Sequence, residues 1–107
     1  MTKYILESTV IKPQSKDKPK QIIVLCHGYG GDGEDISTLA IQWSRFLPDA
    51  IFMCPNGPEI CSINPQGFQW FDLATDKEEI ILEKSLVAEE KLITFLYQAI
   101  DNFQLEP

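Results

Sequence analysis

Between Leu25 and Asp35 the chain reads LCHGYGGDGED, a histidine and four glycines set between an apolar run and the first helical pattern. The run before it, Gln21 to Cys26 (QIIVLC), is continuous and rich in β-branched residues, as in a strand covered on both faces. The sheet is expected to centre there. After the loop, Ile36, Leu39, Ala40, Trp43 and Leu47 recur at helical spacing. Asp32 stands at the N-cap position, Asp35 follows three residues on as in a capping box, and Pro48 marks the stop. Ala50 to Cys54 (AIFMC) is a second short buried strand, broken by Pro55-Asn56-Gly57-Pro58. Strand, glycine loop, helix and strand in that order point to an α/β class with a mostly parallel sheet flanked by helices.

Tyr4 to Ile11 alternates loosely before Lys12-Pro13 and is expected to be an antiparallel or edge strand. The lysine-rich segment from Lys12 to Lys20 is expected to be a solvated loop. Residues 55–76 read as a long irregular loop anchored by the cluster Phe68-Gln69-Trp70-Phe71-Asp72. From Glu78 to Phe103 a long helix follows, with Leu82, Leu86, Ile93, Leu96, Ile100 and Phe103 on or near one face. The 107 residues make one structural unit, residues 1–107 being read as a single segment of one domain. A helix with no strand after it leaves the α/β order interrupted.

Nine basic residues against sixteen acidic ones give a net charge of -7, which repels phosphate backbones and excludes nucleic acid as the expected partner. The N-terminal MTKYILESTV lacks the apolar core of a secretory signal, and no run of about 20 apolar residues could span a bilayer. Cys26, Cys54 and Cys61 are an odd number in no disulfide spacing. A cytoplasmic location is expected.

Three chemistries can use a loop of this kind. Gly28-Tyr29-Gly30-Gly31-Asp32-Gly33 fits the G-x-G-x-x-G of a dinucleotide-binding turn. Asp32 would then lie beside the pyrophosphate, and the next strand ends in Cys54-Pro55-Asn56 without a carboxylate for a ribose. A phosphate-cradling P-loop needs a lysine where Glu34 and Asp35 stand. In the third, His-Gly-x-Gly after a buried strand presents backbone N–H groups as half of an oxyanion hole. Glycines let a substrate approach the backbone, and the donors stabilise charge developing on an acyl oxygen.

The stretches IIVLCHGYGGDGEDI, FLPDAIFMCPNGPE and GFQWFDL, in this order and spacing, resemble the N-terminal part of the carboxylesterase/phospholipase family of α/β-hydrolases, which includes the acyl-protein thioesterases. The resemblance covers nearly all of the chain from about Gln21. It implies a partial α/β-hydrolase fold whose C-terminal half is missing, and full-length relatives that cleave carboxylic esters or thioesters without cofactor or metal. It also implies that the backbone N–H of Tyr29 is one oxyanion donor. His27, Gly28 and Gly30 would shape the hole, and His27 would not be the catalytic histidine. Trp70, with Phe71 and Asp72, would line the acyl side of the cleft, while Pro55, Asn56 and Pro58 would shape the loop leading to it.

The sequence departs from that family where the chemistry is done. A hydrolase of this type needs an activated serine at a G-x-S-x-G elbow, followed by Asp and His. None of the six serines (Ser8, Ser15, Ser37, Ser44, Ser62, Ser85) is flanked that way, and the only histidine is His27. The chain is therefore expected to be inactive alone, as a truncated or split-gene product, or to pair with a separate C-terminal half or with itself through an exposed sheet edge. The rival class is a non-catalytic interaction module using that edge, with a dinucleotide-binding fragment behind it.

Other groupings carry plainer readings. Cys26 and His27 are adjacent and point to opposite faces of a strand, so a shared metal is not expected and the thiols read as core. Cys61, in the loop, is the one thiol expected to reach solvent. Trp43 falls in the helical stripe and reads as core. Asp32, Glu34, Asp35, Glu78 and Glu79 read as helix N-terminal charges favoured by the macrodipole.

Overall fold

In the computed structural model, which describes residues 3–73 and 77–106, the order is β1 (Ser8–Ile11), β2 (Gln21–Val24), α1 (Gly33–Trp43), β3 (Ala50–Pro55), β4 (Glu59–Ile60), β5 (Phe68–Gln69) and α2 (Glu78–Phe103). Every residue of β3 is buried. Its side chains alternate between two cores, as the period of two in a strand demands. Ala50, Phe52 and Cys54 meet Ala40 of α1, joined by Ile23 and Leu25, while Ile51 and Met53 meet Phe95 and Ala99 of α2, joined by Ile22 and Val24. Helices therefore cover both faces of the sheet. Burial of each large apolar side chain in these cores stabilises the fold by about 1.5–3 kcal/mol.

The three-stranded sheet has the order β1-β3-β2, with β2 parallel and β1 antiparallel to β3. This corrects the expected centre. β3, not the strand from Gln21, is the middle of the sheet, and β2 is a half-buried edge among the described residues. The apolar run of β2 matches the composition of a two-faced strand, but composition does not report whether a hydrogen-bonding neighbour stands on both sides. β1 is antiparallel and at an edge, as its loose alternation predicts.

Asp32 caps α1: its backbone is extended, and its side chain accepts the Asp35 N–H at 2.7 Å. The helix ends at Trp43, short of Pro48, in a series of turns that begins at Ser44. Its contact line runs through buried Ser37, Ala40 and Ser44. The two serine hydroxyls donate to the carbonyls of Glu34 and Ile41, which lets small polar residues sit against the sheet. Trp43 lies one ridge to the side and is 44% exposed, which overturns its reading as core.

On α2 the buried line is Ala88, Phe95 and Ala99, with Leu92 and Phe103 half-buried; Leu82, Leu86 and Ile93, expected on the packed face, are exposed. Helix α2 closes in a Schellman motif. Gln104 is left-handed (φ 55°), its N–H donates to Asp101 and Ile100, and the Leu105 N–H donates to Ile100 at 3.0 Å.

The segment from residue 12 to 20 is a loop with exposed lysines, pinned by buried Pro13 and Pro19 and by Ser15 N–H donating to the Pro48 carbonyl at 3.0 Å. The long loop is more ordered than its sequence predicts. It contains the antiparallel pair β4–β5, whose strands of two residues each are too short to show a pattern. The end of the expected loop, residues 74–76, lies outside the described residues, as do Met1, Thr2 and Pro107. Cys26 is exposed and Cys61 buried, both the reverse of expectation, because β2 has an open edge and the β4–β5 loop folds over Cys61. Cys54 is buried, as expected.

Candidate functional site

Beyond β2 the chain makes one more bond of sheet type, Leu25 N–H to the Met53 carbonyl at 3.1 Å, and then turns at His27. The His27 ring is buried and held at both nitrogens by backbone. The Gly57 N–H donates to Nε2 at 2.8 Å, so the ring proton sits on Nδ1, which donates to the Gly28 carbonyl at 2.6 Å. Neither nitrogen is left for a metal, and among the described residues no group of three or more His, Cys, Asp or Glu is arranged to hold one.

The Gly28 carbonyl also accepts the Gly31 N–H at 3.1 Å. In a trans peptide the C=O and the following N–H point in opposite directions. Two donors on the Gly28 carbonyl therefore set the direction of the Tyr29 N–H, which shares its peptide plane. Three other loop amides are engaged, that of Gly31 as above, Gly30 N–H on the Phe68 carbonyl at 2.9 Å and Gly33 N–H on Asn56 Oδ1 at 2.8 Å. Among the described residues the Tyr29 N–H meets no acceptor. The space beside Gly28 is open, since a Cβ built there has no neighbour within 4 Å.

Close backbone approaches keep this loop in place. Gly30 has φ +83°, a conformation that favours glycine, and Phe68 N–H returns a bond to the Gly31 carbonyl at 2.8 Å. Asn64 Nδ2 donates to the Gly30 carbonyl at 2.8 Å. Gly67 packs so closely on the Gly30 carbonyl oxygen that a Cβ there would overlap it.

Trp70 covers the histidine. Its Nε1–H donates to the His27 carbonyl at 3.0 Å, and the two rings stack with centroids 5.3 Å apart. A shallow apolar groove of about 290 Å³ runs from Cys26, His27 and Trp70 to Ala88 and Leu92 of α2. Desolvation raises the pKa of the Cys26 thiol; for Cys54 burial raises it first and the neighbouring Cys26 adds to the rise.

His27, Gly28, Tyr29, Gly30 and Trp70 are thus brought together in one corner, at the end of β2. Asn56, expected to shape the adjoining loop, does so by holding the first amide of α1. Sequence reasoning missed Gly57, Asn64, Gly67 and Ser62. Asn-Gly and Pro-Gln-Gly mark turns, yet nothing local says which distant carbonyl or ring a turn will meet.

A model of the phospholipase/carboxylesterase family matches residues 7–104. Among solved structures, that of esterase PE8 superimposes with a TM-score of 0.86 at 35% sequence identity, over 95% of this chain and 48% of that one. The chain spans about half the length of the esterase it matches.

Proposed function

Since this chain belongs to the phospholipase/carboxylesterase family of α/β-hydrolases, we propose that its glycine loop is one wall of an ester-hydrolysing site, in which the Tyr29 N–H donates to the oxyanion. The observation that carries the reading is the doubly held Gly28 carbonyl, which sets the direction of an otherwise unengaged N–H next to a glycine with open space beside it. When a nucleophile attacks a carboxylic ester or thioester, charge gathers on the former carbonyl oxygen. A donor already aimed there stabilises it without reorganisation. Gly28 leaves room for the acyl group, and Trp70 walls its side.

The 107 residues hold no G-x-S-x-G serine and no histidine other than His27, whose ring nitrogens are both occupied. We therefore place nucleophile, base and acid on another polypeptide segment, and predict no turnover by this chain alone. The test is a fusion of this chain to the part of esterase PE8 that it does not match, assayed on a p-nitrophenyl ester. The fusion is expected to hydrolyse it, and Tyr29→Pro, which removes that N–H together with the phenol, is expected to lower kcat by roughly 10²–10³-fold below Tyr29→Ala, which removes the phenol alone. A folded Tyr29→Pro fusion as active as Tyr29→Ala would overturn the role given to Tyr29.

A second reading, a non-catalytic module that binds a partner strand, is favoured by the open edge of β2. Beside it lies a groove of about 580 Å³ lined by Ile22, Ile23, Leu96, Ile100 and Leu105. Concentration-dependent association abolished by a proline in β2, in a chain whose fusion stays inert, would select this reading. Three free thiols support a reducing, cytoplasmic setting. Among the described residues no helix is long and apolar enough to cross a membrane.

A further inference from the structure

Residues 28–31 contain three glycines and one side chain, that of Tyr29. Its phenol lies 3.0 Å from Ser62 Oγ and donates to Asp72 Oδ1 at 3.4 Å, while Ser62 Oγ donates to the same carboxylate oxygen at 3.2 Å. Ser62 belongs to the loop between β4 and β5 and Asp72 to the segment following Trp70, so three separate stretches converge on one oxygen. We infer that Asp72, with Ser62, is a positioning residue that holds the Tyr29 backbone N–H in line by gripping the far end of the same residue.

The physical case rests on where the loop is soft. The Tyr29 amide is flanked by Gly28 and Gly30, and glycine resists backbone rotation least. The peptide before Tyr29 Cα is held at the Gly28 carbonyl by His27 and Gly31, and the peptide after it by the Gly30 N–H on the Phe68 carbonyl, so the hinge between them is Tyr29 Cα itself, whose own N–H donates to nothing among the described residues. A phenol tied to a carboxylate adds a third restraint at that hinge, and among residues 28–31 only Tyr29 has a side chain to supply it.

This inference takes its purpose from the ester-hydrolase reading, and its test does not depend on it. The measurement is the backbone ¹⁵N order parameter of residue 29 in the free 107-residue chain. Values near about 0.85 are expected in the parent and below about 0.6 in Tyr29→Phe and Asp72→Ala. Asp72→Asn retains an acceptor oxygen and is expected to restore most of the order. The Gly57 amide, bonded to His27, serves as the control that the corner remains folded. Undiminished order at residue 29 in Tyr29→Phe, with Gly57 unchanged, overturns the inference even if the fusion hydrolyses esters. Loss of order in an inert fusion upholds the grip and removes the ester-hydrolase reading instead. In an active fusion, Tyr29→Phe and Asp72→Ala are expected to lower kcat with KM little changed, and the double variant to lose no more than either alone. Additive losses would overturn the coupling.

Discussion

His27 Nδ1 lies 2.6 Å from the carbonyl oxygen of Gly28, the residue that follows it, and through that contact a buried ring governs the direction of the Tyr29 N–H. The same ring accepts the Gly57 N–H at 2.8 Å. One side chain thus ties the glycine loop after β2 to the turn after β3.

Replacing His27 with alanine leaves the buried Gly57 N–H without its acceptor and the Gly28 carbonyl without one of two donors. An unsatisfied buried donor costs about 1–3 kcal/mol, and the lost packing under Trp70 adds to it. Urea unfolding should register the loss, and the Gly57 amide resonance should move. An unchanged midpoint would mean that the loop is held without the ring.

Asp32→Ala removes the side chain that accepts the Asp35 N–H. The expected cost is about 1 kcal/mol, read as a lower thermal midpoint, and Asp32→Asn should recover most of it. Equal loss in both variants would show that the charge, and not the cap bond, is what matters.

Phe95 is fully buried between Tyr4, Leu6, Ile51 and Met53 and is the main anchor of α2 on the sheet. Phe95→Ala is expected to cost about 3–5 kcal/mol, whereas Leu86→Ala, on the exposed side of the same helix, should lie within about 0.5 kcal/mol of the parent. Comparable destabilisation by the two would contradict the assigned helix face.

The thiols should separate by reactivity. Cys26 is exposed and Cys54 and Cys61 are buried, so iodoacetamide should label Cys26 first, detected by peptide mass spectrometry. Desolvation raises the Cys26 thiol, so its labelling should accelerate at higher pH than that of a free thiol. For Cys54 the folded value lies above the unfolded one. The stability linked to it is complete below about pH 8.5 and is lost as pH rises through the folded value. The parent should therefore lose more stability than Cys54→Ala between about pH 7 and about pH 10.

Much of the architecture could be read from periodicity. The helix over 78–103 and the cap at Asp32 were visible because each depends on residues close in sequence. What could not be read depends on distant partners. Whether Gln21–Val24 is a centre or an edge turns on which strands flank it, and the exposure of Trp43 follows from two serines taking the contact line that an apolar pattern assigns to large residues. In the site, His-Gly-x-Gly after an apolar run marks a glycine loop, but the bond from Gly57 to His27 joins residues 30 apart in the chain. No local pattern announces the meeting of Tyr29, Ser62 and Asp72.

Gln104, the left-handed residue that ends α2, reverses the direction of travel. Leu105 folds back to line, with Ile100, the groove along the unpaired side of β2. Glycine takes such a conformation at no steric penalty, and a glutamine there gives up about 1–2 kcal/mol. Gln104 thus makes the last described turn a weak latch, one that a polypeptide entering the groove could reinforce by packing against Leu105.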